Sequence, residues 1–180
     1  AQTIHHGGII MKLTSKAMTN GYMDPEYGIK TTDENQIKYG IPQRSFPLEW
    51  DDVPEGTESF AIICMDYDNV EDEGVPWVHW LVSDIDKDRR SLEDNEAAKG
   101  TLIQGMTSWA LPYGPYEGIP AEYIANYGGP APGRPHEYEV EIYALDIRPN
   151  LETGFYYNKI RKITQEHAID KAVLKFIYEG

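Results

Sequence analysis

The segment Gly74-Val75-Pro76-Trp77-Val78-His79-Trp80-Leu81-Val82 decides the fold, because its aromatic and β-branched residues predict a buried strand. Regular alternation would place Trp77, His79 and Leu81 on one face of that strand and Trp80 on the other. A lone buried imidazole is more often structural than functional. A function for His79 therefore depends on whether polar residues from other strands converge on it.

The strand predicted over Ser59–Asp68 is apolar on both faces until two acids, Asp66 and Asp68, appear at its end. Burial on both faces is typical of a strand in the middle of a sheet. The single cysteine, Cys64, lies within this strand and is expected to be an inert buried thiol. The sequence thus predicts a central strand that ends in a carboxylate.

The clearest alternation in the chain follows a loop rich in Gly, Pro and Tyr, residues 112–135. Over residues 136–142 the even positions, beginning with His136 and Tyr138, share an inward face, while the odd positions are glutamates. Within the loop, the Gly128-Gly129 pair supplies backbone N–H groups and permits a ligand to approach closely. One carboxylate, two imidazoles and one phenol are therefore expected to meet at the mouth of a β-structure and form a compact anion site.

The remaining segments predict short strands, turns and one helix. Tyr156, Ile160 and Ile163 recur at helical spacing and predict a helix over residues 158–167. Residues 14–44 contain so many turn signals that they predict a long surface loop. The other expected elements are strands at 9–13, 45–50, 101–104 and 172–178, one or two helical turns at 91–98, and an exposed acidic linker at 69–74.

Length and composition limit the class of protein. A chain of 180 residues suits one domain, 1–180, in which residues 1–8 are expected to be a disordered or processed extension. The net charge of -14 disfavours binding to nucleic acid. No apolar run reaches the roughly 18 residues of a spanning helix, so membrane insertion is not expected. We expect a cytoplasmic location, and a processed start at Ala1 would leave a secreted or periplasmic location open.

Together these segments resemble the phosphatidylethanolamine-binding protein family, specifically its compact bacterial and archaeal branch, often called Raf kinase inhibitor-like proteins. The resemblance extends over nearly the whole chain, and the fixed order of its motifs makes the signal specific. These motifs are Ser45-Phe46-Pro47-Leu48-Glu49-Trp50, Asp66-Tyr67-Asp68, Trp77-Val78-His79-Trp80, Tyr127-Gly128-Gly129-Pro130 running into His136-Glu137-Tyr138, and Tyr143-Ala144-Leu145-Asp146.

Two of the motifs depart from the family pattern. The family's D-P-D-x-P stands here as Asp66-Tyr67-Asp68-Asn69-Val70, which keeps both acids and loses both prolines with their fixed φ. An arginine that often follows the second histidine is replaced by Glu137. Both departures concern the rim of the implied site and leave the residues of its interior unchanged.

The resemblance implies a mainly all-β fold, a Greek-key antiparallel β-sandwich with a few peripheral helices, one of them near the C-terminus. It also implies a pocket for phosphate-like anions, with no cofactor, metal or catalytic residue. The implied ligand-binding residues are Asp66, His79, His136 and Tyr138, with Gly129 and Pro130 as a wall and Asp68 and Tyr178 at the rim. The same resemblance implies a protein partner, such as a kinase or a protease.

These residues can bind an anion without any lysine. If His79 and His136 each present an N–H group and Tyr138 presents an O–H group, three donors surround a phosphoryl group. Asp66 then either orients one imidazole or binds the ammonium end of a ligand. Because an unperturbed imidazole titrates near pH ~6.5, phosphate binding is expected to tighten as the pH falls from about 8 to about 6.

Two alternative functions stay open. Asp66, His79 and His136 match the residue count of a two-histidine, one-carboxylate metal site, which would make the chain a metal-dependent enzyme. The loop of residues 14–44 and the acidic Glu71-Asp72-Glu73 would instead suit a protein-interaction module, such as an inhibitor. The sequence contains none of the hydrolase, P-loop or dinucleotide fingerprints, so enzymatic activity is not expected.

Overall fold

A computed structural model describes residues 10–180 of the chain. Strands dominate this part, which confirms the mainly β fold. The strands are β1 (Lys12–Thr14), β2 (Met18–Thr19), β3 (Tyr22–Met23), β4 (Ile37–Lys38), β5 (Ile41–Pro42), β6 (Leu48–Asp51), β7 (Ser59–Asp66), β8 (Trp77–Asp86), β9 (Ser91–Leu92), β10 (Ile103–Gln104), β11 (His136–Leu145) and β12 (Ala168–Tyr178). The helices are α1 (Asn69–Glu73), α2 (Ala121–Ile124) and α3 (Tyr157–His167), with 3-10 turns at Pro25–Tyr27, Glu34–Gln36, Glu96–Lys99, Ser108–Ala110 and Gly114–Tyr116.

The main sheet has seven strands in the order β10-β8-β7-β11-β12-β3-β2. Its four long strands pair antiparallel, and β7 lies between β8 and β11. All eight residues of β7 are buried, as two-sided apolarity predicted. Within residues 10–180, the one parallel pairing joins β12 to β3. A second sheet has the order β1-β6-β9, and β4 pairs with β5 separately.

The two larger sheets pack face to face around an aromatic core. Trp50 of β6 and Phe60 of β7 meet edge to face, with ring centroids 5.4 Å apart. Trp80 and Val140 extend the same cluster along the main sheet. The other face of this sheet is covered by α3, whose Ile160 is completely buried against it. This arrangement confirms the predicted β-sandwich with a peripheral helix near the C-terminus.

A bulge in β8 changes the predicted directions of its side chains. Consecutive residues of β7 pair with Trp80 and Val78, so His79 between them has no partner of its own. Two residues of β8 then oppose one of β7, and the alternation shifts by one. Leu81 packs on the α3 side, whereas His79 packs against Tyr138 on the opposite face. The prediction that His79 and Leu81 share a face is therefore wrong.

Elsewhere the expected elements mostly agree with the structure. The helix expected at 158–167 is α3, and the closing strand begins earlier, at Ala168. The helical turns expected at 91–98 are instead β9 followed by a 3-10 turn, because Ser91 pairs with Glu49 in a ladder. The extension expected at residues 1–8 lies outside the described residues. In the part of the chain that is described, no helix has the length and apolarity needed to cross a membrane.

The acidic segment expected to be an exposed linker forms the short helix α1. It begins shortly after β7, and it is capped at its C-terminal end by Gly74, whose φ of 84° lies in the left-handed region that favours glycine. Asn69 and Asp72 are one helical turn apart and therefore lie on the same side of α1. This side faces the end of β7 and the start of β11, where the site residues lie.

Candidate functional site

A cavity of about 320 Å³ opens where β7 ends and where β8 and β11 begin. Antiparallel pairing brings these three strand ends together, because Asp66 pairs with Trp77 on one side and with Tyr138 on the other. His79 and His136 line the same cavity. The structure thus brings together the four polar residues that the sequence predicts for an anion site.

His136 is almost fully buried beside the cavity, and carboxylates contact both of its ring nitrogens. Nδ1 donates to Oδ2 of Asp66 at 2.6 Å, and Nε2 donates to Oδ2 of Asp72 at 2.6 Å. Because a carboxylate oxygen accepts, both nitrogens carry protons and the ring is an imidazolium. Burial opposes this charge most strongly, but Asp66 and Asp72 together outweigh it and raise the pKa of His136 above its ordinary value.

Asp66 is fixed through both of its carboxylate oxygens. Oδ2 accepts from His136, and Oδ1 accepts from the backbone N–H of Asn69 at 3.1 Å. Only 4% of the Asp66 side chain is exposed. Asp66 was expected either to orient an imidazole or to bind the ammonium end of a ligand, and these contacts agree with the first role.

His79 presents a different kind of nitrogen from His136. Its Nδ1 donates to the carbonyl oxygen of Gly128 at 2.7 Å, so the proton of the neutral ring is on Nδ1 and Nε2 has the lone pair. Burial lowers the pKa of His79 to about 4, and the ring is neutral at pH 7. The expectation that both imidazoles offer an N–H group is therefore wrong, since His79 offers an acceptor.

Aromatic rings enclose His79 on two sides. Tyr138 packs edge to face at 5.1 Å between ring centroids, and Trp109 does so at 5.4 Å. Trp77 contacts Trp109 in turn at 5.5 Å. Burial raises the pKa of the Tyr138 phenol, so its hydroxyl stays protonated and is able to donate. The cavity therefore combines aromatic walls with several polar side chains that converge on it.

A known protein family matches most of this chain. The model of the family described as phosphatidylethanolamine-binding protein matches residues 14–179, which include all three strand ends of the cavity. The chain belongs to the phosphatidylethanolamine-binding protein family.

Proteins from bacteria and archaea resemble the chain over most of their length. YxkA from Bacillus subtilis is 31% identical over 161 residues, which cover 88% of this chain and 94% of YxkA. A UPF0098 protein from Methanothermobacter thermautotrophicus is 31% identical over 133 residues, 73% of this chain and 80% of the relative. The structure of CT736, a phosphatidylethanolamine-binding protein homologue from Chlamydia trachomatis, matches with a TM-score of 0.73 at 26% identity, over 96% of this chain and 99% of CT736. These matches confirm the family expected from the sequence.

Gly129 and Pro130 do not line the cavity as expected. The Gly129 N–H donates to the carbonyl oxygen of Pro42 at 2.8 Å, and the Pro130 carbonyl accepts from Ile29 at 2.9 Å. Both residues tie their loop to the segment before β6. The wall on this side of the cavity comes instead from the next residues, 131–133.

The two residues expected at the rim also have other contacts. The Asp68 carboxylate accepts from the backbone N–H of Glu137 at 2.8 Å, which joins the start of β11 to the chain after β7. The Tyr178 hydroxyl donates to the carbonyl oxygen of Pro25 and accepts from the N–H of Lys30, both at 2.9 Å. Tyr178 thus belongs to a separate cavity next to β3.

The sequence reasoning missed Asp72 and Arg134. Oδ1 of Asp72 accepts from Nε of Arg134 at 3.0 Å, while its Oδ2 accepts from His136. Burial favours the neutral carboxyl, but Arg134 and His136 together lower the pKa of Asp72. Arg134, two residues before His136, thus places a cation at the rim although Glu137 does not. Nothing in the acidic run of residues 71–73 distinguishes Asp72 from its neighbours in the sequence.

The alternative two-histidine, one-carboxylate metal arrangement is not formed. Asp66 and His136 bond to each other, and Nε2 of His136 bonds to a second carboxylate. Within residues 10–180, no three His, Cys, Asp or Glu side chains are grouped in a way that would hold a metal ion.

Proposed function

We propose that the chain binds a small anion of the phosphoryl-headgroup class in this cavity. The observation that carries the proposal is the His136 imidazolium, a buried cation that lines the cavity and is anchored through Nδ1 by Asp66. The net charge of -14 does not oppose such binding, because the field inside a pocket is set mainly by the groups that line it. The lining also contains the carboxylates Asp66, Asp72 and Glu73, so the support for an anionic ligand comes from the charged N–H donor of His136 and not from the summed charge of the lining.

A singly protonated phosphoryl group matches the hydrogen-bonding groups of the cavity. Nε2 of His136, which donates to Asp72 in this structure, is the charged N–H donor that a ligand would take over. Tyr138 supplies an O–H donor, and Nε2 of His79 accepts from a P–OH group. The rings of both histidines lie within 6.3 Å of the Tyr138 ring, measured between centroids. Because the second pKa of a phosphate monoester is about 6, the protonated form becomes abundant as the pH falls from about 8 to about 6. Binding should tighten over this interval.

We propose binding without catalysis. The residues that line the cavity include no serine, threonine or cysteine, and Cys64 is buried in the aromatic core. Burial raises the pKa of the Cys64 thiol, which favours its unreactive form. Modulation of a kinase or another protein partner stays a prediction from the family resemblance.

Titration of inorganic phosphate, followed by calorimetry or NMR, tests the proposal. We expect saturable one-to-one binding that weakens about tenfold in Tyr138→Phe, because a hydrogen bond to a charged group contributes about 1.5–3 kcal/mol. Tyr143→Phe is the matched control, since it removes a phenol from the opposite face of β11. Absence of saturable binding, or equal affinity in the wild type and Tyr138→Phe, would overturn the proposal.

A further inference from the structure

The two carboxylates that contact His136 differ in how firmly they are held. Asp66 is the last residue of β7, with 4% of its side chain exposed and both of its carboxylate oxygens bonded. Asp72 bonds Nε2 from the rim, and 34% of its side chain is exposed. The Asp72 carboxylate therefore occupies the nitrogen of His136 that an incoming anion needs.

We propose that Asp72 is a tethered competitor of the ligand, so that an anion binds His136 only by displacing the Asp72 carboxylate. This inference rests on the proposed anion-binding function. It assigns Asp72 a role in specificity, because a ligand must bind more favourably in the cavity than the Asp72 carboxylate binds this nitrogen.

Arg134 gives the displaced carboxylate a charged partner. Oδ1 of Asp72 already accepts from Nε of Arg134 at 3.0 Å, and this contact does not involve the oxygen bonded to His136. Rotation of the Asp72 side chain would therefore break one ion pair and keep the other. Arg134 lies at the surface, with 44% of its side chain exposed, which leaves room for that rotation.

The attachment of Asp72 to α1 determines which anions can displace its carboxylate from His136. A side chain on α1 is present at an effective concentration of about millimolar or higher, against which a free ligand has to compete. Acetate carries the same functional group as Asp72, so replacing the Asp72 carboxylate at Nε2 of His136 with acetate gives no additional hydrogen bond. A phosphoryl group has additional oxygens that reach Tyr138 and His79. The wild type should therefore select phosphate and exclude acetate.

Asp72→Ala removes the competitor, and Glu71→Ala is its matched control. Glu71 lies in the same helix and carries the same charge, and it approaches Arg134 at 3.7 Å but lies outside the cavity lining. We expect phosphate to bind Asp72→Ala about tenfold more tightly than it binds the wild type. Acetate should bind Asp72→Ala saturably and neither the wild type nor Glu71→Ala. Thermal unfolding checks that both variants are folded.

The outcomes separate this inference from the proposed function. If the wild type binds phosphate and Asp72→Ala binds it no more tightly than Glu71→Ala does, Asp72 is not a competitor and anion binding stands. If acetate also fails to bind Asp72→Ala, the proposed basis of selectivity is wrong. If neither the wild type nor Asp72→Ala binds phosphate, the proposed function fails and the inference fails with it.

Discussion

Nε2 of His136 donates to Asp72 across 2.6 Å, although 64 positions separate the two residues in the chain. The contact joins α1 to the start of β11, and Arg134 contacts the other oxygen of the same carboxylate. Asp66 contacts the opposite ring nitrogen. The imidazole is thus held between two carboxylates that favour its charged form, and its protonation is coupled to the position of α1.

Asp72→Asn should lower the pKa of His136, because a neutral amide removes one of the two negative charges that stabilise the imidazolium. NMR titration of the imidazole C–H resonances measures this pKa directly. Glu71→Gln provides the control, since Glu71 pairs with Arg134 and lies 79% exposed at the surface. An unchanged pKa in Asp72→Asn would show that Asp72 does not stabilise the imidazolium in solution.

The raised pKa of His136 should make stability fall on the alkaline side. Its folded-state pKa exceeds the unfolded value of about 6.5, so its contribution is complete below pH ~6.5 and is lost as the pH rises through the folded value. Asp66 and Asp72 favour the charge, while burial and Arg134 oppose it. Urea unfolding at a series of pH values should show this decline in the wild type. His136→Gln has no titrating ring and should lack it, so parallel curves for the two proteins would contradict the assignment.

Gly129 is packed too tightly to accept a side chain. A Cβ atom at this position would lie 2.3 Å from the backbone carbonyl oxygen of Tyr27, and a backbone atom cannot easily move aside. Gly129→Ala should therefore lower the free energy of unfolding by roughly 1–3 kcal/mol. Gly133→Ala, in the same loop, meets no heavy atom within 4 Å and should be nearly neutral. Equal urea midpoints for the two variants would show that the loop shifts to make room for the added Cβ atom at position 129.

The pattern of alternation placed three of the four interior site residues correctly. Asp66, His136 and Tyr138 lie in β7 and β11, whose regular pairing preserves a period of two over the relevant residues. The same reasoning failed for the neighbours of His79, because one unpaired residue in β8 reverses the faces that follow it. Whether a strand contains a bulge depends on its partner strand, and the sequence of β8 alone does not contain that information.

Asp72 was missed for a related reason. Three consecutive acids, residues 71–73, are typical of a solvated surface, and the sequence does not indicate which of them faces inward. The choice depends on where α1 begins after β7 and on the distant start of β11. Arg134 was missed because the resemblance directed attention to the residue after His136, whereas the cation lies before it.

Acid should destabilise the protein through His79. Its pKa falls from 6.5 to about 4 on folding, so its contribution to stability is complete above pH 6.5 and is lost as the pH falls towards about 4. This difference corresponds to a loss of about 3 kcal/mol in the free energy of unfolding. Asp66 and His136 are the charged groups that face the ring, and His136, with its raised pKa, stays charged throughout this interval.

His79→Gln isolates this effect, because glutamine keeps an N–H donor for the Gly128 carbonyl and does not titrate. The variant should be less stable than the wild type at pH 7, since it loses the ring contacts with Tyr138 and Trp109. Urea unfolding at pH 7, 5.5 and 4 should show the gap closing by about 3 kcal/mol as the wild type loses the contribution of neutral His79. Protonation of carboxylates affects both proteins alike and cancels in the comparison. A gap that stays constant would mean that folding does not change the pKa of His79, which would contradict the neutral ring assigned to the folded protein between pH 6.5 and about 4.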